Sequence, residues 1–394
     1  MNPPPDPVAA AALAPEPDPV AQESLRHPEA NGVLTVDLDA LTANWRLLAS
    51  KSVPAECAAV VKADAYGCGI EPVTRALSSA GCKTFFVATL DEARFVRKAA
   101  PTAVIYVLDG FFSHTGRIFV ELECRPVIGD IGELAEWDAF CRHRGVNHGA
   151  ALHIDTGMNR LGLSIAEAQA LIPRIDQGNH GINLVMSHLA CAELLDHPLN
   201  PRQASAFREV ARHFSGVTAS LSNSSGIFLG PSYLFDLVRP GAALYGVNPT
   251  PEADSPMKPV VDVKARIVQV RAVERGETVG YGATWTARRQ TKLAILAAGY
   301  ADGYFRAAGG VDGVRSAEVI IGSKRCPIAG RISMDLMAID VTDLPKPPRR
   351  GDLATLVGDG ITVDALSQHF GTIGYEVLTA LGARYARVYK GGPG

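Results

Sequence analysis

A lysine closes an uninterrupted apolar run in the segment CAAVVKADAYGCG, residues 57–69. Small and β-branched residues bounded by turn formers read as a strand covered on both faces, the kind found in parallel sheets flanked by helices. Lys62 must then carry its ammonium to the mouth of the sheet or be an amine whose pKa burial has lowered. The second state is the one that forms a Schiff base with a carbonyl, and a strand-end lysine reaching solvent is the competing explanation. Other residues of catalytic type recur at comparable places: Asp155, His188 and Asn223 end apolar runs, and Arg239 lies inside one, before Pro240 and Gly241. Singly, each also has a structural explanation, as a satisfied core histidine or an ion-pair partner at a turn. Asn223, Ser224, Ser225 and Gly226, followed later by Gly241 and Ala242, offer hydroxyls and closely spaced backbone N–H groups suited to an anion. A buried lysine, an anion cup and an arginine at one mouth suggest pyridoxal 5'-phosphate. No G-x-x-x-x-G-K motif supports a nucleotide phosphate, and no His and Cys spacing resembles a metal site.

These residues need a scaffold that brings them together. Apolar or β-branched runs occur at residues 57–63, 84–89, 103–108, 125–129, 151–155, 183–188, 218–223 and 237–245. Helical periodicity fills most of the intervals, at 71–80, 91–100, 133–144, 165–177 and 201–214, with an additional helix expected at 41–49. Alternating strands and helices demand parallel pairing, because a parallel neighbour is reached only through a crossover. Eight such units predict a closed (β/α)8 TIM-type barrel, although only residues 225–229 are available for the last helix. Catalytic groups in that architecture come from the C-terminal ends of strands, which is where Lys62, Asp155, His188 and Asn223 fall. Beyond residue 254 the pattern changes to alternation at 261–273, at 318–328 around Gly322 and Ser323, and at 332–341, with one helix at 363–370. The expected division is a disordered Pro- and Ala-rich tail at 1–32, a barrel at 33–255 and a mostly antiparallel β domain at 256–394, joined by the Pro-rich stretch 248–259.

Composition removes several alternatives. With 47% hydrophobic and 20% charged residues, the 394-residue chain has ample core material for two domains. A net charge of −3 gives no reason to expect nucleic acid or an anionic membrane as partner. No apolar stretch reaches the roughly 18–20 residues that span a bilayer. The seven cysteines are odd in number and form no C-x-x-C pair, so reduced thiols in a cytoplasmic protein are expected.

The motif AVVKADAYGCG closely resembles the cofactor-lysine signature of the alanine racemases, pyridoxal phosphate enzymes of fold type III. The order of the further motifs resembles that family too: DTGMNRLG at 155–162, MSHLACAE at 186–193, RPGAALYG at 239–246 and VGYGATW at 279–285. GYADGYFR at 299–306, GRISMD at 330–335 and TIGYEV at 372–377 carry the likeness through the second domain, so that it covers residues 35–389.

The resemblance implies interconversion of L- and D-alanine, supplying D-alanine for peptidoglycan. It implies that Lys62 holds the cofactor and shuttles the α-proton on one face, and that Tyr281, from the partner subunit of a homodimer, serves the other. Tyr66, Ser224, Gly241, Ala242 and Tyr375 match phosphate-binding positions. Arg160 matches the arginine beside the cofactor's phenolic oxygen, Arg239 the residue facing its pyridine nitrogen, and His188 the histidine linking that arginine to the tyrosine. Met334 matches the partner-subunit residue whose backbone meets the substrate carboxylate. Tyr300, Arg306 and Arg331 match positions along the substrate channel. Racemisation needs one base on each face of a planar carbon. A free tyrosine titrates near pH 10, so a tyrosine base needs positive neighbours, which a His188–Arg239 chain supplies. An arginine facing the pyridine nitrogen donates a hydrogen bond without giving up its proton, which favours reprotonation over decarboxylation. Three residues depart from the family's pattern: His153 stands where a carbamylated lysine can occur, Glu193 replaces an aspartate near the substrate's approach, and Cys68 replaces a histidine.

Overall fold

The computed structural model describes residues 29–175, 181–314 and 316–393. The expected tail lies outside the described residues as far as position 28.

Nine hydrogen-bonded segments form one parallel sheet. Glu56–Cys57 pairs with Leu237–Val238, whereas Ala59–Val60 pairs with Thr84–Val87. Ala58 lies between the two short segments and donates its N–H to Val238 O at 3.0 Å. The segments are therefore halves of one interrupted strand, and the sheet closes into the expected barrel of eight strands. The other staves are Val104–Val107, Cys124–Ile128, Ala150–His153, Ile182–Met186 and Thr218–Ser220, each inside or within one residue of a run the sequence marks as a strand. Thr84–Val87 shows why: its residues TFFV are buried on both faces, as a strand covered by helices must be.

Caps set where the helices begin. Thr89 and Glu92 form a reciprocal capping box at Leu90–Ala99, Ser164 and Glu167 form another at Ile165–Ala170, and Asp130 caps Ile131–Arg144. The additional helix is Leu38–Ser52. Of the helix expected at 165–177, Ile165–Ala170 and Ile172–Ile175 are seen, separated at Leu171, and residues 176 and 177 lie outside the described residues. The run 237–245 leaves the sheet after Val238, because Pro240 has no N–H for the ladder and Ala242–Tyr245 winds into a 3-10 turn. Likewise only Met337–Asp340 is a strand within 332–341.

A second sheet contains eight strands. Its spine, Val261–Val273, pairs antiparallel with Gly32–Asp37, Thr291–Leu296 and Leu353–Val357. Glu318–Ile321 and Lys324–Pro327 make the expected hairpin. Gly32–Asp37 also pairs in parallel with Ala386–Lys390. The sequence places residues 33–37 with the barrel, but their hydrogen bonds lie in the second sheet. The strand GVLTVD buries all its residues but the last and needs a partner on each side. One continuous core runs from Leu34 and Val263 to Leu41 and Val60, so the two sheets are packed as a unit.

Candidate active site

Four consecutive residues after Lys62 are left-handed: Ala63, Asp64, Ala65 and Tyr66 have φ between 53° and 54°. Each such non-glycine residue costs about 1–2 kcal/mol, so the turn stores roughly 4–8 kcal/mol that the surroundings must offset. They do so from several sides. Ala65 N donates to Val61 O and Gly67 N to Ala63 O, both at 2.9 Å. Asp64 Oδ1 accepts from Ile70 N at 2.8 Å, and Glu92 Oε1 accepts from Ala63 N at 2.6 Å. A Cβ on Gly67 would lie 2.6 Å from Leu378 O, which shows how tightly the second domain closes over the turn. The turn fixes the lysine at one rim of a cavity of 600 Å³ and aims Tyr66 into the same space. Burial and the neighbouring Arg160 charge lower the Lys62 pKa, while Asp109 and Glu92 oppose them. An amine held toward its neutral form is a better nucleophile and base.

Ser224, Gly241, Ala242, Tyr66 and Tyr375 line that cavity together. Ser224 Oγ accepts from Gly241 N at 3.0 Å and from Ala243 N at 3.2 Å, which leaves its own O–H as a donor. Gly241 is required here, because a Cβ would come within 2.4 Å of Tyr66 Oη. The Tyr66 ring stacks on Tyr245 at 4.7 Å and tilts toward Tyr375 at 6.3 Å. Burial pushes both Tyr66 and Tyr375 up, so each remains a protonated donor at neutral pH. A side-chain-free cradle ringed by hydroxyl donors, beside an amine of lowered pKa, fits pyridoxal phosphate.

Arg239 is 4% exposed. It donates through Nη2 to Ser187 O at 2.6 Å and through Nη1 to Ser220 Oγ, and its guanidinium lies 5.9 Å from the centre of the Phe86 ring. Burial alone pulls it down to about 9, so it stays charged at neutral pH, and no carboxylate among the described residues offsets its burial. Arg239 Nη2 also lies 3.5 Å from His188 Nδ1. Since arginine can only donate, Nδ1 accepts, and the proton of a neutral His188 sits on Nε2. Burial and then the Arg239 charge hold His188 well below its ordinary value, so the ring is neutral.

His153 is also buried and neutral: burial, Arg239 and Arg160 lower it to about 4 against a weaker opposing pull from Asp155. Unfolded, it titrates near 6.5, so below that pH the unfolded chain binds a proton that the folded chain refuses. Its contribution is complete above pH 6.5 and is lost as pH falls toward 4, by about 3 kcal/mol in all. Urea unfolding of the cofactor-free protein at pH 7 and pH 4.5 should therefore show a steeper acid loss for the parent than for His153→Gln, by about 2–3 kcal/mol. Equal losses would remove His153 from the acid limb.

Asp155 and Asn223 stand at strand ends as expected, but their oxygens are engaged locally. Asp155 accepts from Gly157, Met158 and Asn159 N–H groups, each at 2.9 Å, and so shapes the turn that carries Arg160 to the cavity. Although burial raises the Asp155 carboxyl, those three donors lower it overall. Asn223 Oδ1 accepts from Gly226 N at 2.9 Å. Tyr281 and Met334 are not brought to the cavity: they are 68% and 53% exposed, and neither lines it. Tyr281 instead stands on a 3-10 turn at the tip of the hairpin formed by Thr278–Val279 and Trp285–Thr286.

Sequence reasoning missed several residues that build the site. Gln203, fully buried, donates to His188 O at 2.8 Å and accepts from Ala190 N at 2.9 Å, clamping both sides of the loop that carries His188. It also reaches Thr156 Oγ1 at 3.3 Å, which lies 2.8 Å from Ser187 Oγ. Glu92 lay unmarked inside the helix expected at 91–100, Phe86 inside the run 84–89 and Asp109 just past the run 103–108, yet Asp109 and Phe86 line the cavity. The one available signal was position, since each lies at or near the same end of the barrel as Lys62.

Residues 36–249 match the profile of the alanine racemase N-terminal domain and residues 260–389 that of its C-terminal domain. The chain belongs to the alanine racemase family. An alanine racemase of Methylobacterium nodulans is 51% identical over 357 residues, covering 90% of this chain and 95% of its own. An alanine racemase of Agrobacterium fabrum named as biosynthetic is 44% identical, covering 90% and 93%. Among solved structures, the alanine racemase of Bartonella henselae with covalently bound pyridoxal phosphate superposes with a TM-score of 0.86 at 39% identity, covering 92% of this chain and all of that one. The first match spans the barrel and the second spans every strand of the second sheet except Gly32–Asp37 and the last residue of Ala386–Lys390.

Proposed function

We propose that this chain interconverts L- and D-alanine by a two-base reaction, with pyridoxal phosphate held covalently by the amine of Lys62. The observation that carries this reading is the strained left-handed turn that presents a pKa-lowered Lys62 to a hydroxyl-ringed cradle. The racemase names and the cofactor of the Bartonella relative support it. Bound there, pyridoxal phosphate supplies an electron sink that acidifies the hydrogen on the substrate's α-carbon.

This chain's own residues do the rest. Tyr66, Ser224, Gly241, Ala242 and Tyr375 would hold the phosphate, Arg160 would stabilise the cofactor's phenolate, and Arg239 would donate a hydrogen bond to its ring nitrogen. Lys62 Nζ takes or gives the α-proton on one face, and the partner subunit's Tyr281 does so on the other. The neutral His188, with its proton on Nε2, donates toward that tyrosine's oxygen. Met334 of the partner subunit meets the substrate carboxylate through its backbone, and Arg160 assists. The exposure of Tyr281, Tyr300, Met334 and Leu336 supports a homodimer with shared sites, since one chain leaves these side chains uncovered. The division near residue 255 then separates a cofactor-binding barrel from a domain that completes the neighbouring site. Seven free cysteines support a cytoplasmic location, and the biosynthetic name of the Agrobacterium relative supports a supply of D-alanine for peptidoglycan. Among the described residues no helix is long and apolar enough to cross a membrane.

Purified protein incubated with L-alanine and a panel of other L-amino acids, resolved by chiral chromatography, should form D-alanine. Retained configuration throughout would sink the racemase reading. Borohydride reduction and peptide mapping should place the cofactor on Lys62 and on no other lysine.

A further inference from the structure

We propose that Glu92 is the positioning residue of Lys62: its carboxylate bridges the left-handed turn and the end of the neighbouring barrel strand, and so fixes the orientation and charge environment of the amine. The inference rests on Lys62 being the cofactor lysine. Glu92 Oε1 accepts from Ala63 N at 2.6 Å, and Glu92 Oε2 from Ala88 N at 2.8 Å and from Thr89 N at 3.4 Å. Ala63 is the first left-handed residue and the one bonded to Lys62, while Ala88 follows the strand Thr84–Val87. The two oxygens therefore receive N–H groups from two chain segments at once.

Only an acceptor at both ends can do this. A carboxylate has two accepting oxygens, whereas the amide of glutamine would turn an NH2 toward one of the two N–H donors. Helix capping does not explain the Ala63 bond. In the capping box Thr89 accepts from Glu92 N at 3.3 Å and Glu92 answers to Thr89 N, so the box is complete without Oε1. Because Oε1 is committed to the turn and Oε2 to the strand, the strain of four left-handed residues is resisted where it begins. The charged groups acting on Lys62 are Arg160 from the turn after Ala150–His153, Asp109 after Val104–Val107, and Glu92 itself; His188 lies in the same cavity. Glu92 and Asp109 are the two acids that favour the charged amine, against burial and Arg160.

Two measurements on the cofactor-free protein test this, the first by amide hydrogen exchange and the second by pH-dependent acetylation of Lys62 read by mass spectrometry. In Glu92→Gln, exchange over residues 63–67 should accelerate roughly tenfold or more, the loss expected for a charge-assisted hydrogen bond. The acetylation midpoint of Lys62 should move to lower pH, because an acid that favours the ammonium has gone. Thr89→Ala, which removes the other half of the capping box, should loosen residues 90–93 and leave both Lys62 readouts as in the parent. If Thr89→Ala reproduces the Glu92→Gln changes, or Glu92→Gln alters neither readout, Glu92 is a helix cap and the inference fails. Reductive labelling of the parent separates the two readings. Cofactor found on a lysine other than Lys62 overturns the proposed function, whereas correct labelling with unmoved Glu92→Gln readouts overturns only this inference.

Discussion

Tyr281→Phe lowers racemisation in both directions by about 10²–10⁴-fold, the usual contribution of a general acid or base, and leaves the cofactor bound. Within one chain Tyr281 is exposed and lines no part of the Lys62 cavity, so the substitution removes nothing from the cofactor's cradle. Absorbance of bound cofactor and chiral assay of the product check the two halves of this statement. Lys62→Ala should be inactive for a different reason, since under the proposed reaction it loses the covalent hold on the cofactor together with a base. The decisive measurement combines the two variants. If each site takes Lys62 from one subunit and Tyr281 from the other, a Lys62→Ala/Tyr281→Phe heterodimer has one intact site and one that lacks both groups. Random exchange at equal concentrations should restore about a quarter of wild-type activity. Exchange demonstrated by mass spectrometry with no recovery would show that both bases come from the same chain.

The barrel was legible because its strands are buried on both faces and its helices announce their starts. Thr84–Val87 reads as a strand from composition alone, and the helices expected at 91–100 and 165–177 read from their periodicity, with the Thr89–Glu92 and Ser164–Glu167 boxes fixing their starts in the structure. The conformation after Lys62 was not legible. Alanine, aspartate and tyrosine carry no left-handed preference of the kind glycine has, and φ near 53° is imposed by the turn's own bonds together with Glu92 and Leu378, which are distant in sequence. The strand expected at 57–63 is broken at Ala58 and ends at Val60, before the lysine. Gly32–Asp37 illustrates another limit: its burial pattern is visible in sequence, but its partners, Val261–Val273 and Ala386–Lys390, lie more than 200 residues away along the chain. The pairing of His188 with Arg239 was expected from the resemblance and is present, whereas Gln203, which clamps the His188 loop, sits unmarked in a helix. A polar residue on a helix face reads as solvated until its burial is known.

Arg239→Met is expected to separate catalysis from stability. Methionine is long and apolar enough to occupy the buried site, but it abandons Ser187 O, Ser220 Oγ and His188 Nδ1. Leaving buried acceptors without donors costs about 1–3 kcal/mol each. Against this, a guanidinium buried with no carboxylate partner among the described residues carries a desolvation cost of several kcal/mol that the variant no longer bears. The two nearly cancel, so cofactor-free Arg239→Met should unfold in urea within about 2 kcal/mol of the parent. Racemisation should nevertheless fall by about 10²–10³-fold, the usual loss when a preorganised charged donor is removed from a site. A second signature follows from electrostatics, because Arg239 lowers both His153 and His188. Without it both imidazoles titrate closer to their ordinary value, the gap between folded and unfolded pKa narrows, and the loss of stability between pH 6.5 and 4 becomes shallower. A destabilisation of more than about 3 kcal/mol with an unchanged acid limb would instead make Arg239 a structural strut, because a strut's loss is felt in folding and leaves the histidines as they were. A large loss of racemisation with near-parental stability and a shallower acid limb is the result a charge kept for chemistry must give.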